Sequence, residues 1–222
     1  MRFARRCLVA ALFSLPLAVE PEGPALAQAA DCVPEAYGSC AGAALQGIDL
    51  SGRSLSGVNL SGADLEGADF ARADLGNADL SDAKLSQADL SRADLSGARL
   101  NRADLSGADL SGADLEDAWL RGCDLAGASL AGANLTGANL QDANLRGADL
   151  DNARLAAARL AGADLSQASM DGADLAGGEW VPGADLEGAI WINGKLCEAG
   201  SVGRCVQTSA GSAERGQEAH VQ

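Results

Sequence analysis

From Leu45 onward an apolar residue, almost always leucine, stands at every fifth position. Steps of five from Leu45 to Trp180 meet leucine everywhere except at Phe70, Met170 and Trp180. Two residues before nearly every such centre is Ala, and the residue between is usually Asp or Asn, as in Ala63-Asp64-Leu65, Ala103-Asp104-Leu105 and Ala138-Asn139-Leu140. A fixed period of this kind sets the architecture before any other feature is read.

Neither regular structure accommodates a period of five. In an α-helix five residues advance about 500°, so the leucines would wander round the axis and form no face. In a continuous strand each step of five switches faces, so alternate leucines would point into water. A coil with short sides fits. Ala63 and Leu65, two apart, point inward from a short extended piece, and Glu66-Gly67 turns the chain and resets the phase. Coils stacked about 4.8 Å apart place Leu on Leu and Ala on Ala, each coil completing its neighbour's core. A well-buried Leu contributes about 1.5–3 kcal/mol of transfer free energy. The small Ala lets opposite walls approach, which explains a core built with only 3% aromatic residues.

Quintets of the form Ala-Asp/Asn-Leu-X-X resemble the pentapeptide repeat family, over residues from about 43 to 191. That resemblance implies an all-β solenoid, a right-handed quadrilateral β-helix with four quintets per coil. Coils of that size number about seven and make a rod roughly 34 Å long.

The ends carry different signals. Arg2, Arg5 and Arg6 precede an apolar run from Leu8 to Val19, then Ala25-Leu26-Ala27. That order is a secretory signal peptide over 1–27, cut after Ala27 or, as the alternative, Ala29. The run is shorter than the roughly 20 residues of a transmembrane span, and no later segment replaces it. A periplasmic or extracellular location follows. Cys7 leaves with the signal; Cys32 and Cys40 flank the start of the solenoid, and Cys197 and Cys205 its end. In an oxidising compartment each pair closes a short loop. Cys123 stands at an Ala site and is expected to point inward as a small hydrophobe. The expected organisation is an N-terminal cap over 28–44, the repeat over 45–191, a disulfide cap over 192–205 and a disordered tail over 206–222. Arg53 falls on an inward site of the first coil, so either that coil is irregular or the side chain leaves through the open end. Val181-Pro182-Gly183 inserts one residue, after which the pattern resumes one position late at Ala184-Asp185-Leu186.

With four sides per coil, residues twenty apart stack. The first face then runs Asp64, Lys84, Asp104, Asp124, Asn144, Asp164, and the second Asp49, Asp69, Asp89, Asp109, Ser129, Asp149. The third runs Ser54, Asp74, Asp94, Asp114, Asn134, Arg154, Asp174. The fourth differs: Asn59, Asp79, Arg99, Trp119, Asn139, Arg159, Glu179. Three faces are acidic ladders in a chain of net charge −15, and loss of the signal removes three Arg against two Glu. Side-chain bonds from Asp to backbone amides would serve the turns and offset part of the repulsion. Calcium needs oxygens converging on one point, which parallel columns do not offer, so neither metal nor cofactor is expected.

The charge sign disfavours direct nucleic-acid binding. The repeat region holds no histidine to activate a serine, and a filled prism has no cleft, so no enzyme is expected. A structural or protein-interaction module of the bacterial envelope is the preferred function. Its candidate docking patch is Arg99, Arg102, Trp119 and Arg121, since Trp and Arg are enriched at interface hot spots. The mundane reading of that patch is Arg stacked on Trp and paired with Asp79 or Asp117. An end-to-end homodimer is left open. The alternative function comes from the family resemblance, which includes cytoplasmic members that resemble DNA and bind DNA gyrase: an acidic, DNA-mimicking inhibitor of such an enzyme. Net charge along the rod, roughly one per 2 Å, approaches the duplex value of about one per 1.7 Å.

Overall fold

A computed structural model describes residues 32–176, 183–193, 195–198, 201 and 204–205. The segment expected to be an export signal, Cys7, Trp180 and the 206–222 tail lie outside them.

The chain winds as a solenoid of twenty residues per turn. Single-residue parallel bridges join Asp64 to Lys84, Asp69 to Asp89, Asp74 to Asp94 and Asp79 to Arg99, and so on along all four faces. Residues twenty apart therefore stack as the sequence pattern requires. No longer strand forms among the described residues, because each side holds one outward residue between two inward ones before the chain turns. The pairing reaches back to Ser39, which bridges Asn59, and to Ala44, which bridges Asp64.

Every quintet satisfies its backbone in the same way. Leu65 N–H donates up to Lys84 O (2.8 Å), and Lys84 N–H donates down to Ala63 O (2.9 Å). At the corner Gly67 N–H donates up to Ser86 O (3.0 Å), and Ala68 N–H closes the turn onto Leu65 O (3.0 Å). One amide per quintet, that after the centre, has no backbone acceptor. In most quintets the outward Asp or Asn takes it: Asp69 Oδ1 accepts from Ala71 N–H at 2.9 Å, and Asp89 Oδ1 from Ser91 N–H at 2.9 Å, whereas Asp64 Oδ1 is buried without a hydrogen bond. Since a buried or half-buried amide without a partner is costly, the outward carboxylate or amide is a structural part of the turn.

The interior is one continuous stack of leucines and alanines, closed to solvent from Leu55 to Met170. Phe70 and Met170 sit in it at leucine positions, and Cys123 at an alanine position. Arg53 keeps regular backbone bonds, donating to Leu50 O and accepting from Asp74 N–H, while the residue is exposed. The coil is regular there and the side chain leaves it.

Both ends are stapled. Cys32 is bonded to Cys40 and Cys197 to Cys205, with Cα separations of 5.7 and 5.0 Å. The one-residue insertion shifts the last bridges to a spacing of twenty-one: Asp164 meets Asp185 and Ser169 meets Ile190. Ile190 then pairs antiparallel with Leu196, so the chain reverses across the end of the rod. Trp191 and Ile192 pack against the last of the core. Among the described residues no helix is long and apolar enough to cross a membrane.

Candidate functional site

On the fourth face the ladder Asn59, Asp79, Arg99, Trp119, Asn139, Arg159 is continuous. Trp119 is 55% exposed, and its outward position follows from its bridge partners, Arg99 below and Asn139 above. The solenoid fixes its backbone on both sides, so the indole projects from a rigid support.

A Trp at an Asp/Asn position leaves the amide of Arg121 without its usual acceptor. That amide is served from the coil below, by Asn101 Oδ1 at 3.3 Å. The same substitute occurs where Ser169 replaces Asp: Asp171 N–H donates to Asp151 Oδ1 at 2.9 Å. Trp119 thus contributes nothing to its own turn, and a neighbour does that work. Sequence reasoning missed Asn101 in this role. The signal was present, an Asn twenty residues before the uncapped amide, but which neighbour serves an uncapped amide depends on side-chain reach between coils.

The patch arginines are not paired as the mundane reading has it. Arg102 grips Asp82 with Nε and Nη2, both at 2.7 Å, and Arg121 reaches Asp142 at 3.2 Å. Neither Asp79 nor Asp117 is the partner: Arg102 and Arg121 sit at the corner after the face, whereas Asp79 lies on the face and Asp117 at the corner before it. The Arg102 guanidinium lowers the carboxyl of Asp82 below its ordinary range, and Asp82 in turn raises Arg102.

The structure splits the four candidate residues between two shallow grooves on either side of the column. Asn77, Asp79, Gly97, Arg99, Asp117 and Trp119 line one. Ser81, Asn101, Arg102, Arg121, Gly122 and Asp142 line the other. In the second groove every charge is paired, Arg121 with Asp142 inside it and Arg102 with Asp82 at its edge. In the first, the side chains of Arg99 and Asp117 have no hydrogen bond or ion pair among the described residues.

The acidic faces look different at this level. Most ladder carboxylates hold a turn amide through Oδ1, as do Asp104, Asp109, Asp124 and Asp149. Repulsion between rungs is relieved where an amide alternates with a carboxylate: Asn134 Nδ2 donates to Asp114 Oδ1 and Asn144 Nδ2 to Asp124 Oδ1, each at 2.9 Å. Lys84 lies 3.6 Å from Asp64. Among the described residues no three potential metal ligands converge. Cys123 is buried, and desolvation pushes its thiol up to about 12.

Twenty-residue turns, single-residue bridges and a Leu/Ala core define a four-sided repeat solenoid. The chain belongs to the pentapeptide repeat family: eight copies of the repeat match over residues 39–82, 73–112, 108–147 and 148–178. No curated protein matches it in sequence. Among solved structures it is similar to HetL, a pentapeptide repeat protein involved in heterocyst differentiation regulation in the cyanobacterium Nostoc sp. strain PCC 7120. Identity there is 32% over 72% of this chain and 92% of that one, with a TM-score of 0.48. Similarity to QnrB1, a plasmid-mediated fluoroquinolone resistance protein, is 21% over 70% of this chain and 84% of that one, with a TM-score of 0.57. A pentapeptide repeat protein from the Arabidopsis thaliana thylakoid lumen is 27% identical over 66% of this chain and 70% of that one, with a TM-score of 0.31.

Proposed function

We propose that this chain is an exported, non-catalytic interaction module of the bacterial envelope. It is read as a right-handed quadrilateral β-helix with disulfide caps, whose fourth face docks a protein partner through Arg99, Arg102, Trp119 and Arg121. The observation that carries the proposal is Trp119. It occupies a position that elsewhere serves the turn, has handed that task to Asn101, and leaves its indole half in solvent. Export is supported by the charged and apolar pattern over 1–27 and by two short-range cysteine pairs at the ends.

DNA mimicry has less support. The ladder carboxylates are engaged in their own turns, which accounts for their number without a partner.

The experiment is capture from envelope extracts with the wild-type chain, followed by affinity measurement with Trp119→Ala. An anchoring Trp carries about 2 kcal/mol or more, roughly thirtyfold in affinity. Unchanged affinity in this variant, with a large loss on neutralising Asp69, Asp89 and Asp109, would move the site to the acidic faces. N-terminal sequencing of protein from the producing cell should give Gln28 or Ala30; a retained Met1 on a cytoplasmic pool would overturn export.

A further inference from the structure

We infer that the groove on the Asn77 side of the fourth face binds a neutral saccharide, its sugar ring stacked on Trp119. This rests on the reading above only in taking the fourth face as the docking face.

The groove joins one aromatic face to planar polar groups of both hydrogen-bonding senses. Arg99 donates, Asp79 and Asp117 accept, and Asn77 does both. Arg99 and Asp117 lie beside the indole with no hydrogen bond or ion pair of their own among the described residues. Unspent donors and acceptors flanking an aromatic platform match a ligand that carries hydroxyls, each both donor and acceptor, round a ring with C–H faces.

Charge disfavours an anionic ligand, and the free donors disfavour a cationic one. An anion would meet Asp79 and Asp117 here and the net charge of −15 at longer range. A cation would gain from Asp79 and Asp117 but would leave the Arg99 donors unused, and three acidic faces compete for it. A neutral polyhydroxylated ligand meets neither penalty.

Two of the polar groups each stand under a glycine of the coil above. Asn77 leans over Gly97, its Oδ1 2.9 Å from where a β-carbon on that glycine would stand. Asp117 leans over Gly137 in the same manner. Both thus occupy space that a side chain in the coil above would fill, and the glycines leave the groove open above them.

An array of neutral oligosaccharides probed with the full disulfide-bonded chain tests this, with the best binder then titrated in solution. The wild type and the second-face control Asp109→Asn should bind at least one array sugar equally. Trp119→Ala should weaken it at least about tenfold, and Asp117→Ala several-fold, with the fold of each variant checked by its unfolding transition. Absence of binding to every neutral sugar overturns the inference, as does binding that survives Trp119→Ala. A protein captured through Trp119 with no sugar bound overturns the saccharide and leaves the docking face standing. Sugar binding without a protein partner overturns the protein partner and leaves both the saccharide and the docking face standing.

Discussion

Asn152 stands directly beneath Gly172, its Oδ1 2.6 Å from the place a β-carbon on that glycine would take. Both residues have positive φ, 58° and 70°. The second corner position of each quintet is left-handed throughout, and where Asn, Asp, Gln, Arg or Tyr occupies it, the corner one coil above is usually glycine. Tyr37 lies under Gly57, Asn77 under Gly97 and Asp142 under Gly162. Where the upper corner is not glycine the pair must settle otherwise, as Asp82 does by ion-pairing with Arg102.

Gly172→Ala should therefore be costlier than Gly127→Ala, which has the same φ sign but nothing within 4 Å. Left-handed strain costs each about 1–2 kcal/mol, and at Gly172 alone the Asn152 side chain must also turn away, adding about 0.5–1 kcal/mol. Chemical denaturation of the two variants measures the difference. Asn152→Gly should remove the excess in the Gly172→Ala background, and lack of coupling would refute the contact.

Asn101→Ala should cost about 1 kcal/mol, since it strands the Arg121 amide. In a Trp119→Asp background the new carboxylate can cap that amide itself, so the same change should cost much less. Equal costs in both backgrounds would show that Asn101 does not replace the missing cap.

Leu105→Ala, in the closed middle of the stack, should lower stability by about 2–5 kcal/mol in denaturant unfolding. Reduction of Cys32–Cys40 and Cys197–Cys205 should instead raise amide exchange at the ends first, because each coil contacts only its neighbours. Uniform acceleration along the rod would contradict that locality.

Cys123 should resist alkylation in the folded chain well above the ordinary thiol range, because burial raises its thiol to about 12 and closes off access. The sign for stability is adverse at alkaline pH: the unfolded thiol ionises first, so folding weakens between the unfolded value and about 12. Cys123→Ala should abolish that part of the alkaline loss.

Asp82 should titrate below the usual carboxylate range in NMR, and Arg102→Ala should return it toward that range. Its folded value is depressed, so its stabilising effect is present above the unfolded value and disappears as pH falls through the folded one. A small effect is expected, since both partners face solvent.

Much of the rod was legible in the chain. A five-residue period with Ala and Leu two apart has one economical solution, and it placed every core side chain from Leu55 to Met170, the inward Cys123 and the one-residue slip before Ala184. The stacking of residues twenty apart needed the coil length, which the period alone does not contain. Beyond that, only the three-dimensional arrangement decided the outcome. It paired Arg102 with Asp82 and Arg121 with Asp142 instead of with Asp79 or Asp117, gave the Arg121 amide to Asn101, and divided the Trp119 patch into a paired groove and an unpaired one. The physical reason is the range of the forces involved. Burial of a periodic apolar set is written in local spacing, whereas hydrogen bonds and ion pairs between corners depend on ångström-scale offsets between successive coils, which no single quintet encodes.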